Sequence, residues 1–146
     1  VPVHFGFDGH PDRWSQKSWL VIYLVLLLAV GLGTLLHSLG WFMPRWLPKL
    51  LKTHPNLVNI PHKQQISELP PEKQQVIFGL IGEMMHVLAI EFIAFMSFIH
   101  WASMQVAQGK WQTIPVWYVF VFLGIIVLTF VYWFIHLNRT IKNMIG

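Results

Sequence analysis

The residues able to do chemistry in this 146-residue chain are few: eight His, six Asp or Glu, and no Cys. The lack of Cys removes disulfides, thiolate metal sites and thiol nucleophiles. His37, Glu83, His86 and His136 recur near one level of long apolar stretches. A titratable side chain there is costly and is a functional candidate by default. Glu83 and His86 stand three apart, hence on one helix face. A Glu-x-x-His pair is half of the ligand set of carboxylate-bridged di-iron bundles, and no second copy follows. His37, Glu83, His86 and His136 could instead hold a single Zn or Fe ion. The competing expectation is interfacial histidines hydrogen-bonded to backbone and headgroups.

His86 and His100 lie fourteen residues apart, which brings them within about 40° of whole helical turns and about 21 Å apart along the axis. That spacing resembles the paired haem ligands of b-type cytochrome helices. Each haem needs a second axial ligand, from His37 or His136 at one level and from His4 or His10 at the other. Glu91 is turned about 80° from Glu83 and cannot share the face of His100. One carboxyl makes no proton pathway, so a structural place in the bundle or against a partner subunit is the favoured reading of Glu91.

A second concentration lies at the start of the chain, where His4, Asp8, His10 and Asp12 fall within nine residues. Imidazole and carboxylate together could bind a divalent cation. The favoured alternative is a rigid cap. Pro2 and Pro11 restrict its backbone, Gly6 and Gly9 turn it, Phe5, Phe7 and Trp14 anchor it at the membrane interface, and Arg13 and Lys17 neutralise its aspartates. With Trp14 and Lys17, those four residues also form the surface best placed to meet a ligand, as loops on rigid scaffolds commonly do. No phosphate-cradling Gly-rich loop, nucleophile elbow or His-Glu-x-x-His motif occurs, so an enzyme is not expected.

The elements that must position these residues are written in the composition. Charged residues are 11% and apolar residues 55%, against roughly 25% charged in a soluble domain. A water-soluble fold and a disordered chain are both excluded. The ten basic residues are spread between apolar runs and form no basic face for nucleic acid. Lys17 and Arg45 bracket 27 residues without Asp, Glu, Lys or Arg, and Lys110 and Arg139 bracket 28. A bilayer crossing needs about 20. The expected fold is an all-α integral membrane bundle, with transmembrane helices at about 18–40, 76–107 and 114–137 following a cap at 1–17. In the connector, Trp41, Phe42, Trp46, Leu47, Leu50 and Leu51 interleave with Arg45, Lys49 and Lys52. That pattern predicts a short amphipathic segment in the headgroup layer. Pro70-Pro71-Glu72 reads as a helix start. Seven of the ten basic residues fall in the 40–76 connector and the C-terminus. The positive-inside rule therefore places those regions in the cytoplasm and residues 1–17 outside the plasma membrane.

The segment from Val1 to Lys17 resembles a bacterial and archaeal membrane family of uncharacterised function, found at the N-terminus of SdpI-type immunity proteins. Pro2, His4, Phe5, Gly9, Pro11, Asp12, Trp14, Ser15 and Lys17 carry the resemblance, and Asn59-Ile60-Pro61-His62-Lys63 with Leu69-Pro70 resembles a second, looser signature. The resemblance implies a membrane span directly before the Pro-x-His motif, hence before Val1. One branch of the family protects cells against a secreted peptide toxin and signals its presence. The second membrane domain of those proteins is not recognisable in Trp111–Gly146. Three functions follow as expectations. The first is a non-catalytic protein that recognises a ligand or partner through its cap; the second is an accessory subunit of a larger membrane complex or homo-oligomer. The third is a haem or divalent-metal protein built on the intramembrane His and Glu residues, although no cofactor is the leading expectation.

Overall fold

The computed structural model describes residues 1–145. A hairpin of β1 (Pro2–Phe5) and β2 (Pro11–Trp14) precedes the helices α1 (Trp19–Thr53), α2 (Lys63–Glu68), α3 (Pro71–Ala107) and α4 (Val116–Ile145). α1, α3 and α4 are long and apolar enough to cross a membrane. Their apolar side chains are largely exposed, among them Leu24, Leu27, Leu28 and Val30 on α1 and Val127, Leu128 and Val131 on α4. Water would tolerate no such continuous surface, whereas lipid tails match it. The chain is a multi-pass, helical membrane protein.

The helix ends follow from local chemistry. Ser18 caps α1, its Oγ accepting the Val21 N–H at 3.2 Å. Pro71 opens α3, where its missing N–H costs nothing, and Glu72 faces the positive end of the helix dipole. α3 closes at Gly109, whose φ of +71° few other residues adopt. The Lys110 N–H returns to the Gln105 carbonyl at 3.0 Å and the Gly109 N–H to Val106 at 2.9 Å, a Schellman stop.

The amphipathic segment around Trp41–Lys52 is not a separate element. It continues α1 without a break to Thr53, with Pro44 and Pro48 inside the helix. Each proline forfeits one backbone hydrogen bond. Packing offsets that loss, because Leu47, Leu50 and Leu51 join an apolar core. The two strands are likewise additions to a chain otherwise built of helices.

Contacts divide the chain into two compact units, one of Val1–Thr34 with Ala89–Ile126, the other of Leu35–Leu88 with Val127–Gly146. In the first, Ala102, Val106 and Ile114 form a buried cluster against Phe5, Phe98 and Trp111. Phe98 stacks on Tyr118 with ring centroids 3.5 Å apart, and Phe95 on Phe122 at 4.3 Å. In the second, Leu51, Val58, Ile66, Ile77, Phe78 and Ile141 are buried together. Gln74, also buried, donates its Nε2 to the carbonyls of Leu69 (2.8 Å) and Ser67 (3.2 Å). Those bonds tie α2 to the start of α3 and satisfy an amide that would otherwise be expensive to bury. The Lys73 Nζ donates to the Met144 carbonyl at 3.1 Å, fixing the last turn of α4.

Candidate functional site

The hairpin is built from short-range constraints. Asp8 Oδ1 accepts the His10 N–H at 3.0 Å, an Asx turn that reverses the chain. Gly6 and His10 close the loop, with the Gly6 N–H donating to the His10 carbonyl at 2.9 Å. Across the strands Pro2 faces Trp14, His4 faces Arg13 and Phe5 faces Pro11, with irregular register between them.

The cap is held to the chain by a different bond. The Ile114 N–H donates to the Gly9 carbonyl at 3.0 Å. Gly9 has φ +78°, and a Cβ there would run into the Ile114 carbonyl oxygen and Val116. Phe5 packs beneath the hairpin on the buried cluster of Ala102, Val106 and Ile114. The hairpin and the α3–α4 connector therefore form one docked surface.

On its outer side, His4 Nδ1 and Asp12 Oδ1 hydrogen-bond at 2.6 Å while both side chains stay more than half exposed. His10, Trp14 and Lys17 are exposed as well. Of the six residues expected to form this surface, His4 and Asp12 are brought into contact and Asp8 is spent on the turn. Among the described residues Asp12 is ion-paired with His4, and neither Arg13 nor Lys17 is in direct contact with an aspartate. The three aromatic anchors also divide. Phe5 is packed inward, while Phe7 is fully exposed at the hairpin loop and Trp14 is 58% exposed. Phe7 and Trp14 thus keep the exposure that an interfacial anchor needs, whereas Phe5 packs into the protein instead.

The intramembrane residues distribute differently. His37 and His86 meet with ring centroids 4.4 Å apart, tilted by 44°. His86 also lies against the backbone of Gly40, and its Nδ1 is buried without a hydrogen-bond partner among the described residues. Glu83 is exposed. His136 stacks on Tyr132 of its own helix at 5.9 Å. His37, Glu83, His86 and His136 are therefore not gathered, and no three His, Asp or Glu among the described residues form a group that could hold a metal. His100 stacks on Tyr23 at 6.3 Å, in a different unit from His86. Glu91 is half-buried. His62, from the looser signature, precedes α2 in the left-handed region (φ 55°), with its Nδ1 2.9 Å from Gln65 Oε1.

No curated protein and no solved structure matches this chain. Residues 1–30 match a family model described as Domain of unknown function (DUF1648), which covers the whole hairpin, the Ser18 cap and the first turns of α1.

Proposed function

We propose that this is a non-catalytic membrane protein that recognises a ligand or partner through the outer face of its hairpin, on the extracytoplasmic side of the plasma membrane. One observation carries the reading. A polar and aromatic surface, with the His4–Asp12 pair beside Phe7, His10 and Trp14, is held rigidly by the Gly9–Ile114 bond rather than left as a loose terminus. Rigid aromatics next to polar groups are what recognition surfaces use. The resemblance to the N-terminal domain of SdpI-type immunity proteins suggests a secreted peptide as the ligand, and protection or signalling as the outcome.

The test is a photo-crosslinking residue placed at Phe7 in intact cells. A discrete adduct should form and should vanish when His4→Ala or Asp12→Ala is combined with it, at unchanged expression. No adduct, or one indifferent to both substitutions, removes the recognition role.

A second reading is favoured by the buried, unpartnered Nδ1 of His86 beside His37, a two-imidazole setting that a transition-metal ion could exploit. Elemental analysis of protein purified from native membranes decides it. Stoichiometric Zn or Fe lost in His86→Ala supports a metal site, and a metal-free wild type ends it.

A further inference from the structure

Arg45, Lys49 and Lys52 occupy positions i, i+4 and i+7 of α1. They lie within an arc of about 60° around the helix and span about 10 Å along it. Together they line a groove of about 460 Å³, closed on the other side by Pro71, Gln74 and Gln75 of α3. No acidic side chain lines it; Glu72, next to Pro71, is not part of the wall. Like charges at this spacing repel one another on a helix face. None of the three is in an ion pair among the described residues. An external anion is what would offset that repulsion.

The neighbouring aromatics say where the anion comes from. The guanidinium of Arg45 lies 4.0 Å over the ring of Trp41, one turn back toward the apolar stretch, and also donates to the Trp41 carbonyl. This is a cation folded back toward the membrane along its own helix. Trp41 and Trp46 are exposed, as tryptophans at the headgroup level are. Arg45 follows the last Leu of the apolar run, Leu39, by six residues, a rise of about 9 Å. That puts Arg45 at the outer edge of the headgroup layer, which is about 5–8 Å thick on each side of the hydrocarbon core.

We infer that the groove between Arg45, Lys49, Lys52 and the start of α3 is a binding site for the phosphate headgroup of an anionic phospholipid. Lys49 and Lys52 attract the phosphate as mobile point charges, while the guanidinium of Arg45 orients it with the donors that Trp41 leaves free. The acyl chains of the lipid would lie along the exposed leucines of α1.

The full chain, delipidated in detergent, is titrated with phosphatidylglycerol and with phosphatidylcholine, and bound lipid is counted by native mass spectrometry. Phosphatidylglycerol should bind at least about tenfold more tightly, two or three added basic contacts setting an upper bound of about 30- to 150-fold. Lys49→Gln and Lys52→Gln should each lose most of that preference, Lys49→Arg should keep it, and Lys142→Gln, outside the groove, should be unchanged. Equal binding of the two lipids overturns the proposal, as does a preference that survives both glutamine variants or is lost in Lys49→Arg. Displacement of phosphatidylglycerol by millimolar inorganic phosphate also overturns the lipid assignment, because the groove would then be a site for free phosphate.

Discussion

Gly40 and Gly82 face each other where α1 and α3 cross. A Cβ on Gly40 would lie 2.7 Å from the Gly82 carbonyl oxygen, and one on Gly82 would lie 2.5 Å from the Gly40 carbonyl oxygen. The contact is reciprocal, and proline chemistry explains one half of it. Pro44 has no N–H to give the carbonyl four residues earlier, which is that of Gly40. The freed oxygen points at the Cα of Gly82, the geometry of a weak Cα–H···O contact. Small residues bring helix backbones this close in membranes, where dispersion rather than hydrophobicity drives association.

Gly40→Ala and Gly82→Ala should therefore each destabilise the protein, because backbone atoms and not a flexible side chain must move. The cost expected of such overpacking is about 1–3 kcal/mol. Gly31 and Gly124 have nothing within 4 Å of a would-be Cβ. Alanine there should be neutral or stabilising by about 0.5–1 kcal/mol through helix propensity alone. Thermal unfolding midpoints in one detergent separate the two pairs, and equal effects at all four sites would show that the crossing does not depend on its glycines.

Gly9 makes a second backbone prediction, this time in the cap. Its φ of +78° and the Ile114 carbonyl both exclude a side chain. Gly9→Ala should cost about 1–2 kcal/mol from the left-handed backbone alone, and more from the collision. The hairpin should undock, so limited proteolysis should cleave within residues 1–17 of Gly9→Ala much faster than in wild type. Equal cleavage rates would mean that the Gly9–Ile114 hydrogen bond does not hold the cap.

The spans were readable in the sequence because their signal is long and one-sided: 27 and 28 uncharged residues between Lys17 and Arg45 and between Lys110 and Arg139. The continuation of α1 through Pro44 and Pro48 was not, since local propensity opposes it. It rests on Leu47, Leu50 and Leu51 meeting Ile66, Ile77 and Phe78, partners remote in sequence. At the cap, the Asp8-Gly9 turn was legible from residue type, but the pairing of His4 with Asp12 depends on a strand register that no local pattern fixes. Level along the membrane also proved a poor guide to proximity. His37, Glu83, His86 and His136 shared a level in the sequence, yet helix rotation brings His37 to His86 and turns His136 onto Tyr132.

His86 offers a stability prediction that does not depend on what it binds. A buried nitrogen without a partner is worth less than an apolar group of similar size. His86→Leu in metal-free buffer should leave the unfolding midpoint unchanged or raise it, by no more than about 1 kcal/mol. A clear drop would mean that Nδ1 is satisfied by water or another group in the native protein.

The sidedness of the cap can be read with a reagent that the sequence makes unusually clean, since the chain has no Cys. Phe7→Cys places a thiol on a fully exposed position of the hairpin, and Lys142→Cys places one on an exposed position in the last turn of α4. The positive-inside rule leads one to expect the first outside and the second in the cytoplasm. A membrane-impermeant maleimide added to intact cells should then label Phe7→Cys and leave Lys142→Cys unlabelled until the cells are opened. The reverse pattern would invert the protein and present the hairpin to the cytoplasm, where a secreted peptide could not reach it. Labelling of both before lysis would require an even number of crossings between the two positions. That result would contradict three spanning helices, because α1, α3 and α4 all lie between residue 7 and residue 142 or end beside it.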